Sequence, residues 1–214
     1  DVSITPYGLT RRTFVYLPDD WQTSGKKYPV LYMFDGHNLF FDSTATYGTC
    51  WGLKEYCDAH PNWIIAAPEC NHEGNKRLEE YCPYQSDWFG GITGTGHEYM
   101  EWLTKEFKPM MDKRYPTLPG RANTAIGGSS MGGLMSLYAL LNHNDVFGRA
   151  AALSPSIWVS PEKLSGLLGR AKLEPGTVLY MDYGSREMGN HDGMRRGFAE
   201  MCAKVMTRGI HLTS

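Results

Sequence analysis

The stretch Gly127-Gly-Ser-Ser-Met-Gly-Gly133 limits the folding of this chain more than any other. A short run, Asn123–Ile126, reads as a strand before it, and the apolar run Met131–Leu141 reads as a helix after it. A strand that passes into a helix through so few residues must turn sharply, and side chains beside such a turn must be small. Glycines meet that demand on both flanks. The serine at the apex, Ser130 in Gly128-x-Ser130-x-Gly132, is then held in a strained backbone conformation with its hydroxyl above the sheet edge.

The rest of the chain fits around such a turn. Arg12–Leu17, Tyr28–Phe34, Trp63–Ala67, Ala150–Leu153 and Val178–Met181 are short apolar runs, several of them apolar on both faces. Strands of that kind are covered by helices on both sides. Helical patterns fall between them. Thr95-Gly-His-Glu98 has capping-box spacing and is followed by Met100, Leu103 and Phe107, with Pro109 expected to kink or end the helix. Glu162–Leu168 and Met194–Met206 are further helices, the last closed by Gly209. The alternation predicts an α/β fold with a mostly parallel sheet. Between Glu69 and Thr95 the pattern fails. That segment carries Tyr81, Tyr84, Trp88 and Phe89, and we read it as the rim of a substrate site.

At 214 residues the chain is expected to form one domain, 1–214. Its 42% hydrophobic and 21% charged residues are ordinary globular values and exclude a disordered tail. Lys+Arg 21 against Asp+Glu 23 gives a net charge of -2, which argues against a nucleic-acid partner. No apolar stretch approaches the ~20 residues of a membrane span. Cys50, Cys57, Cys70, Cys82 and Cys202 are odd in number and form no CxxC pair, so neither zinc nor a disulfide scaffold is expected. One disulfide stays open if the protein is exported, and the start at Asp1 leaves the compartment open too. No cofactor or metal is expected, and the oligomeric state is not legible.

Tyr28-Pro-Val-Leu-Tyr-Met-Phe-Asp-Gly-His-Asn-Leu-Phe40, Gly127-Gly-Ser-Ser-Met-Gly-Gly133 and Leu153-Ser-Pro-Ser-Ile-Trp158 together resemble the putative-esterase branch of the α/β-hydrolases. That branch includes esterase D, feruloyl and other carbohydrate esterases, siderophore esterases and mycolyltransferases. The resemblance implies an α/β-hydrolase fold with helices on both faces of the sheet. It also implies a serine esterase that acts through an acyl-enzyme on Ser130. Two backbone N–H groups are expected to hold the oxyanion. One belongs to Met131, the residue after the nucleophile. The other, carried from the family onto Asp35-Gly36, belongs to His37.

The family's order of serine, acid, histidine puts the acid after Val178–Met181. Gly184-Ser-Arg-Glu187 matches the family frame, so Glu187 is favoured, with Asp182 and Asp192 as fallbacks. The histidine of the family follows the last strand. Here His211 lies inside that strand, His191 is four residues past Glu187, and His37, His60, His72, His97 and His143 precede the acid. None fits, so the histidine, with the rest of the incomplete last strand and the helix after it, is expected beyond Ser214. The expected partner is a small-molecule or saccharide ester, with a carbohydrate or an aromatic alcohol or acid in it. Arg77 and Glu79 are candidates for a polar substrate group. A catalytically dead binding module and an acyltransferase are the alternatives.

Overall fold

The computed structural model describes residues 1–187 and 192–214. A short hairpin, β1 (Val2–Ile4) with β2 (Leu9–Arg11), precedes the main sheet. The apolar runs then supply β3 (Thr13–Tyr16), β4 (Val30–Met33), β5 (Ile64–Pro68), β6 (Thr124–Ser129), β7 (Arg149–Leu153) and β8 (Val178–Asp182). With β9 (His211–Thr213) the described residues form a seven-stranded sheet of order β3-β5-β4-β6-β7-β8-β9. Only β3 runs antiparallel to its neighbour; the other pairs are parallel. The mostly parallel α/β architecture expected from the alternation is present.

Strand alternation explains the two faces. Val30, Tyr32 and Phe34 at β4, with Ile64 and Ala66 of β5, point into the large core. Met33 of β4, with Ile65 and Ala67 of β5, points the other way into a smaller cluster with Leu39, Phe40 and Cys57. Cys57 belongs to α1 (Leu53–Ala59). Farther across this second face, Leu31, Ala125 and Ala151 border a cavity of about 400 Å³ also lined by Tyr56 and Trp63.

α2 (Lys76–Glu80) lies in the segment read as a rim. Its Glu80 is buried against Arg11 at 2.7 Å and also accepts the Asn71 N–H at 2.7 Å, which fixes α2 to the hairpin. α3 (Gly96–Trp102) starts where the capping box predicted, but no side-chain cap forms. The Thr95 hydroxyl bonds instead to Tyr7 and to the Glu79 carbonyl. The helix does not end at Pro109. One wide turn, Leu103–Phe107, leads into α4 (Lys108–Arg114), where Pro109 occupies the first turn and its missing N–H is tolerated.

α5 (Met131–Asn142) is buried on every side from Met131 to Leu141 and packs against β6 and β7. α6 (Pro161–Arg170) and α7 (Asp192–Met206) pack together, and Gly209 turns at φ 72° after α7. Among the described residues no helix is long and apolar enough to cross a membrane.

Two residues past β4, Asp35 takes a left-handed φ of 57° and leads into a single 3-10 turn, Gly36–Asn38. A Cβ on Gly36 would stand 2.0 Å from the Ala67 carbonyl oxygen, so the turn can press against β5 only if residue 36 has no side chain. Gly36→Ala should therefore lower stability by at least about 2 kcal/mol, as overpacking against rigid backbone does. Urea denaturation of the two proteins checks it, and an unchanged midpoint would contradict the packing described.

Candidate active site

Parallel register brings four strand ends to one edge. Met33 pairs with Gly127, Ser129 with Leu153, and Leu153 with Asp182. The residues just past these pairs are Asp35–His37, Ser130, Ser154–Ser156 and Tyr183–Glu187. Open α/β sheets bind ligands at this carboxyl edge.

Ser130 is the N-cap of α5, with φ 59° and ψ -118°. A non-glycine residue in that region costs of order 1–3 kcal/mol and must be held by its surroundings. Three hydrogen bonds hold it. Its N–H donates to the Leu153 carbonyl at 2.9 Å, and its own carbonyl accepts from Leu134 at 2.9 Å and from Ser156 at 3.0 Å. A Cβ on Gly128 would lie 2.8 Å from the Gly132 backbone, so the turn closes only with glycine there. Among the described residues the Ser130 hydroxyl has one hydrogen-bond partner, the buried Ser156 Oγ at 3.3 Å.

Met131 and His37, the two residues expected to donate to an oxyanion, lie at the start of α5 and in the turn after β4. Met131 opens α5, where the first N–H groups of a helix lack intrahelical partners. In the Gly36–Asn38 turn, Asn38 and Leu39 donate back to Asp35 and Gly36, and the His37 N–H has no partner among the described residues. The His37 ring is buried, and burial holds it below the ordinary histidine value, so it is neutral at pH 7.

The acids divide clearly. Asp182 uses both carboxylate oxygens: Oδ1 accepts from the Ser154 N–H at 2.9 Å and Oδ2 from the Tyr180 hydroxyl at 3.0 Å. Glu187 accepts the Ser154 hydroxyl and the Gly184 N–H (2.8 Å), both on Oε1. Its Oε2 has no partner among the described residues. Asp192 is far more exposed and pairs with Arg195 at 3.4 Å. His191 lies outside the described residues.

A cleft of about 390 Å³ opens beside Ser130, lined by Asp35, His37, Tyr47, Trp51, Cys70, His72 and Arg77. Arg77 is not free to read a substrate charge. Its Nε and Nη2 donate to both oxygens of buried Asp35, each at 2.7 Å. Glu79 is likewise engaged, accepting the N–H groups of Thr93 and Gly94 at 2.8 and 3.1 Å. Of the four aromatics assigned to a rim, Tyr81 is fully buried against Phe34, and Tyr84 packs edge-on against Tyr138. Only Trp88 (48% exposed) and Phe89 (50%) lie at the surface, edge-on to Trp158 with ring centroids at 4.8 and 5.7 Å. Trp158 follows Ser156 by two residues. The sequence reading missed Ser156, Trp158 and the Asp35–Arg77 pair, whose partners are 42 residues apart.

The family model described as Putative esterase matches residues 7–194. The Bacillus subtilis protein YbbA is 27% identical over 200 residues, 91% of this chain and 76% of that protein. The siderophore triacetylfusarinine C esterase of Aspergillus fumigatus is 25% identical over 142 residues, 65% of this chain; the match spans 48% of that esterase, about half its length. Among solved structures, an IroE-like serine hydrolase from Shewanella oneidensis superposes with a TM-score of 0.75 at 20% identity. That match covers 96% of this chain and 68% of the other, and it shows an α/β-hydrolase-like fold.

Removing Arg77 would strand the Asp35 carboxylate in a buried position, and breaking one half of such a pair costs about 3–5 kcal/mol. Arg77→Met should show that loss in chemical denaturation. Adding Asp35→Asn should restore most of it, and a double variant no better than the single would sink the assignment.

Proposed function

The chain belongs to the Putative esterase family, and we propose that this carboxylic ester hydrolase works through an acyl-enzyme on Ser130. The observation that carries the reading is Ser130 itself: a non-glycine residue at φ 59° on a strand-to-helix turn, with the N-terminus of α5 directly behind it. Such a turn exposes the hydroxyl and aims helix N–H groups at the place where negative charge develops.

In this reading the Ser130 hydroxyl attacks the ester carbonyl carbon and its proton passes to a general base. The carbonyl oxygen becomes an oxyanion held by the N–H groups of Met131 and His37. The carbon–oxygen bond to the alcohol then breaks, the alcohol leaves with the proton, and water releases the acid from Ser130. The family resemblance assigns the base to a histidine after the last strand, oriented by Glu187. Among the described residues Oε2 of Glu187 has no partner and would serve that purpose, whereas both Asp182 carboxylate oxygens already accept hydrogen bonds. Ser156, hydrogen-bonded to the Ser130 hydroxyl, fixes that side chain's position before substrate binds.

The exposed Trp88 and Phe89, packed on the half-buried Trp158, support an ester with a sugar or aromatic ring, since such rings bind flat apolar surfaces. The siderophore esterase relative adds siderophore esters to the panel worth testing.

A fluorophosphonate probe should label Ser130, and Ser130→Ala should abolish both labelling and ester hydrolysis without changing the melting temperature. Glu187→Gln should lower kcat roughly 10²–10⁴-fold with little change in KM, because the charge acts on the imidazolium of the transition state. Asp182→Asn should be mild by comparison. Steady-state kinetics on acetyl-sugar, feruloyl and p-nitrophenyl esters decide the matter. The reverse ranking of the two acids would overturn the role given to Glu187.

A further inference from the structure

We propose that His37, Cys70 and His72 form a binding site for one zinc-type divalent transition-metal ion in the wall of the Ser130 cleft. One donor atom from each lies within 4.8 Å of the other two. All three residues line the same cleft as Ser130. This inference is independent of the esterase reading.

The donor set selects the class of ion. Two imidazoles and one thiolate suit zinc, cobalt and copper, whereas magnesium and calcium seek oxygen. The cluster also carries signs of a site rather than a chance meeting. His37 is 4% exposed, its Nε2 is held by Thr46 Oγ1 at 3.1 Å, and its buried Nδ1 has no hydrogen-bond partner among the described residues. A ring held through one nitrogen and unsatisfied at the other is how a metal-ligating histidine is prepared. At His72, the Glu69 carboxylate stands 3.6 Å from Nε2, close enough to favour a cation held by that imidazole.

Zinc bonds of ~2.0–2.3 Å place tetrahedral donors roughly 3.3–3.8 Å apart, so the cluster must close by about 1 Å. His72 is the exposed member and can make that movement, while His37 and Cys70 are buried. On binding, the Cys70 thiol becomes a thiolate and its proton leaves to solvent. Three protein ligands leave a fourth position for water or for a donor atom of a molecule in the cleft. The sequence offered only Cys70-x-His72, without the paired spacing of a zinc motif; His37 joins them through the fold.

The test is a Co²⁺ titration of EDTA-treated protein under reducing conditions. The expected result is one equivalent bound with thiolate-to-cobalt absorption in the near ultraviolet, displaced by Zn²⁺. Cys70→Ser should abolish that band, and His72→Ala should weaken binding at least 10-fold with an unchanged melting temperature. Cys50→Ser and Cys202→Ser should retain the band. Absence of the band in the unaltered protein, its survival in Cys70→Ser, or full affinity in His72→Ala would each overturn the site.

Discussion

Parallel pairing of β6 with β7 runs one residue past the end of β6, and the site depends on that extra hydrogen bond. Ser130 donates to Leu153 at 2.9 Å while its backbone is already turning into α5. Returning, the chain after β7 donates from Ser156 to the Ser130 carbonyl at 3.0 Å. The strained serine is thus clamped on both sides by one neighbouring strand and its loop. That loop is itself strained, with Ser154 at φ 42°. Its N–H reaches the Asp182 carboxylate and its hydroxyl reaches Glu187. Constraint passes from β8 to β7 to β6 across the sheet edge, so the proposed nucleophile is oriented by residues that need not touch substrate.

Much of this was legible because it is local. Glycines around Ser130, apolar runs of strand length and an apolar run of helix length each obey rules that act over a few residues. Gly184-Ser-Arg-Glu187 reads as a turn, and in the folded chain Glu187, the proposed acid, does accept the Gly184 N–H across it. Failures came where distant residues compete for the same group. Thr95 has capping-box spacing, but its hydroxyl serves Tyr7 and Glu79 instead. Tyr81, read as a rim residue, is drawn into the core by Phe34 and Tyr99. Arg77 looked free in sequence and is claimed by Asp35.

The cleft wall gains its shape from charge that is neutralised in place. Arg77 faces Asp35 through two parallel hydrogen bonds, and Glu80, three residues along α2, faces Arg11. Both pairs are largely out of water, where a lone charge would be costly. Their effect is geometric: one ties α2 to the turn after β4, the other ties it to the N-terminal hairpin. The irregular segment between β5 and α3 is held by these ion pairs and by buried Tyr81, without a regular strand ladder of its own. Among the described residues of that wall, Asp35 and Arg77 neutralise each other, so the proposed recognition falls to the exposed Trp88 and Phe89 packed on Trp158.

His37 then has two faces with separate uses. Its main chain carries the N–H proposed as an oxyanion donor, and its ring lies in the cleft wall beside Cys70 and His72. Gly36 makes this possible by letting the turn press against Ala67, and Asp35, pinned by Arg77, fixes where the turn begins. A ligand on the ring would pull on the same short turn that positions the N–H. With only Gly36–Asn38 in that turn, movement at the ring has few torsions in which to dissipate before reaching the main chain. The proposed metal site and the proposed oxyanion donor are therefore mechanically joined through one residue.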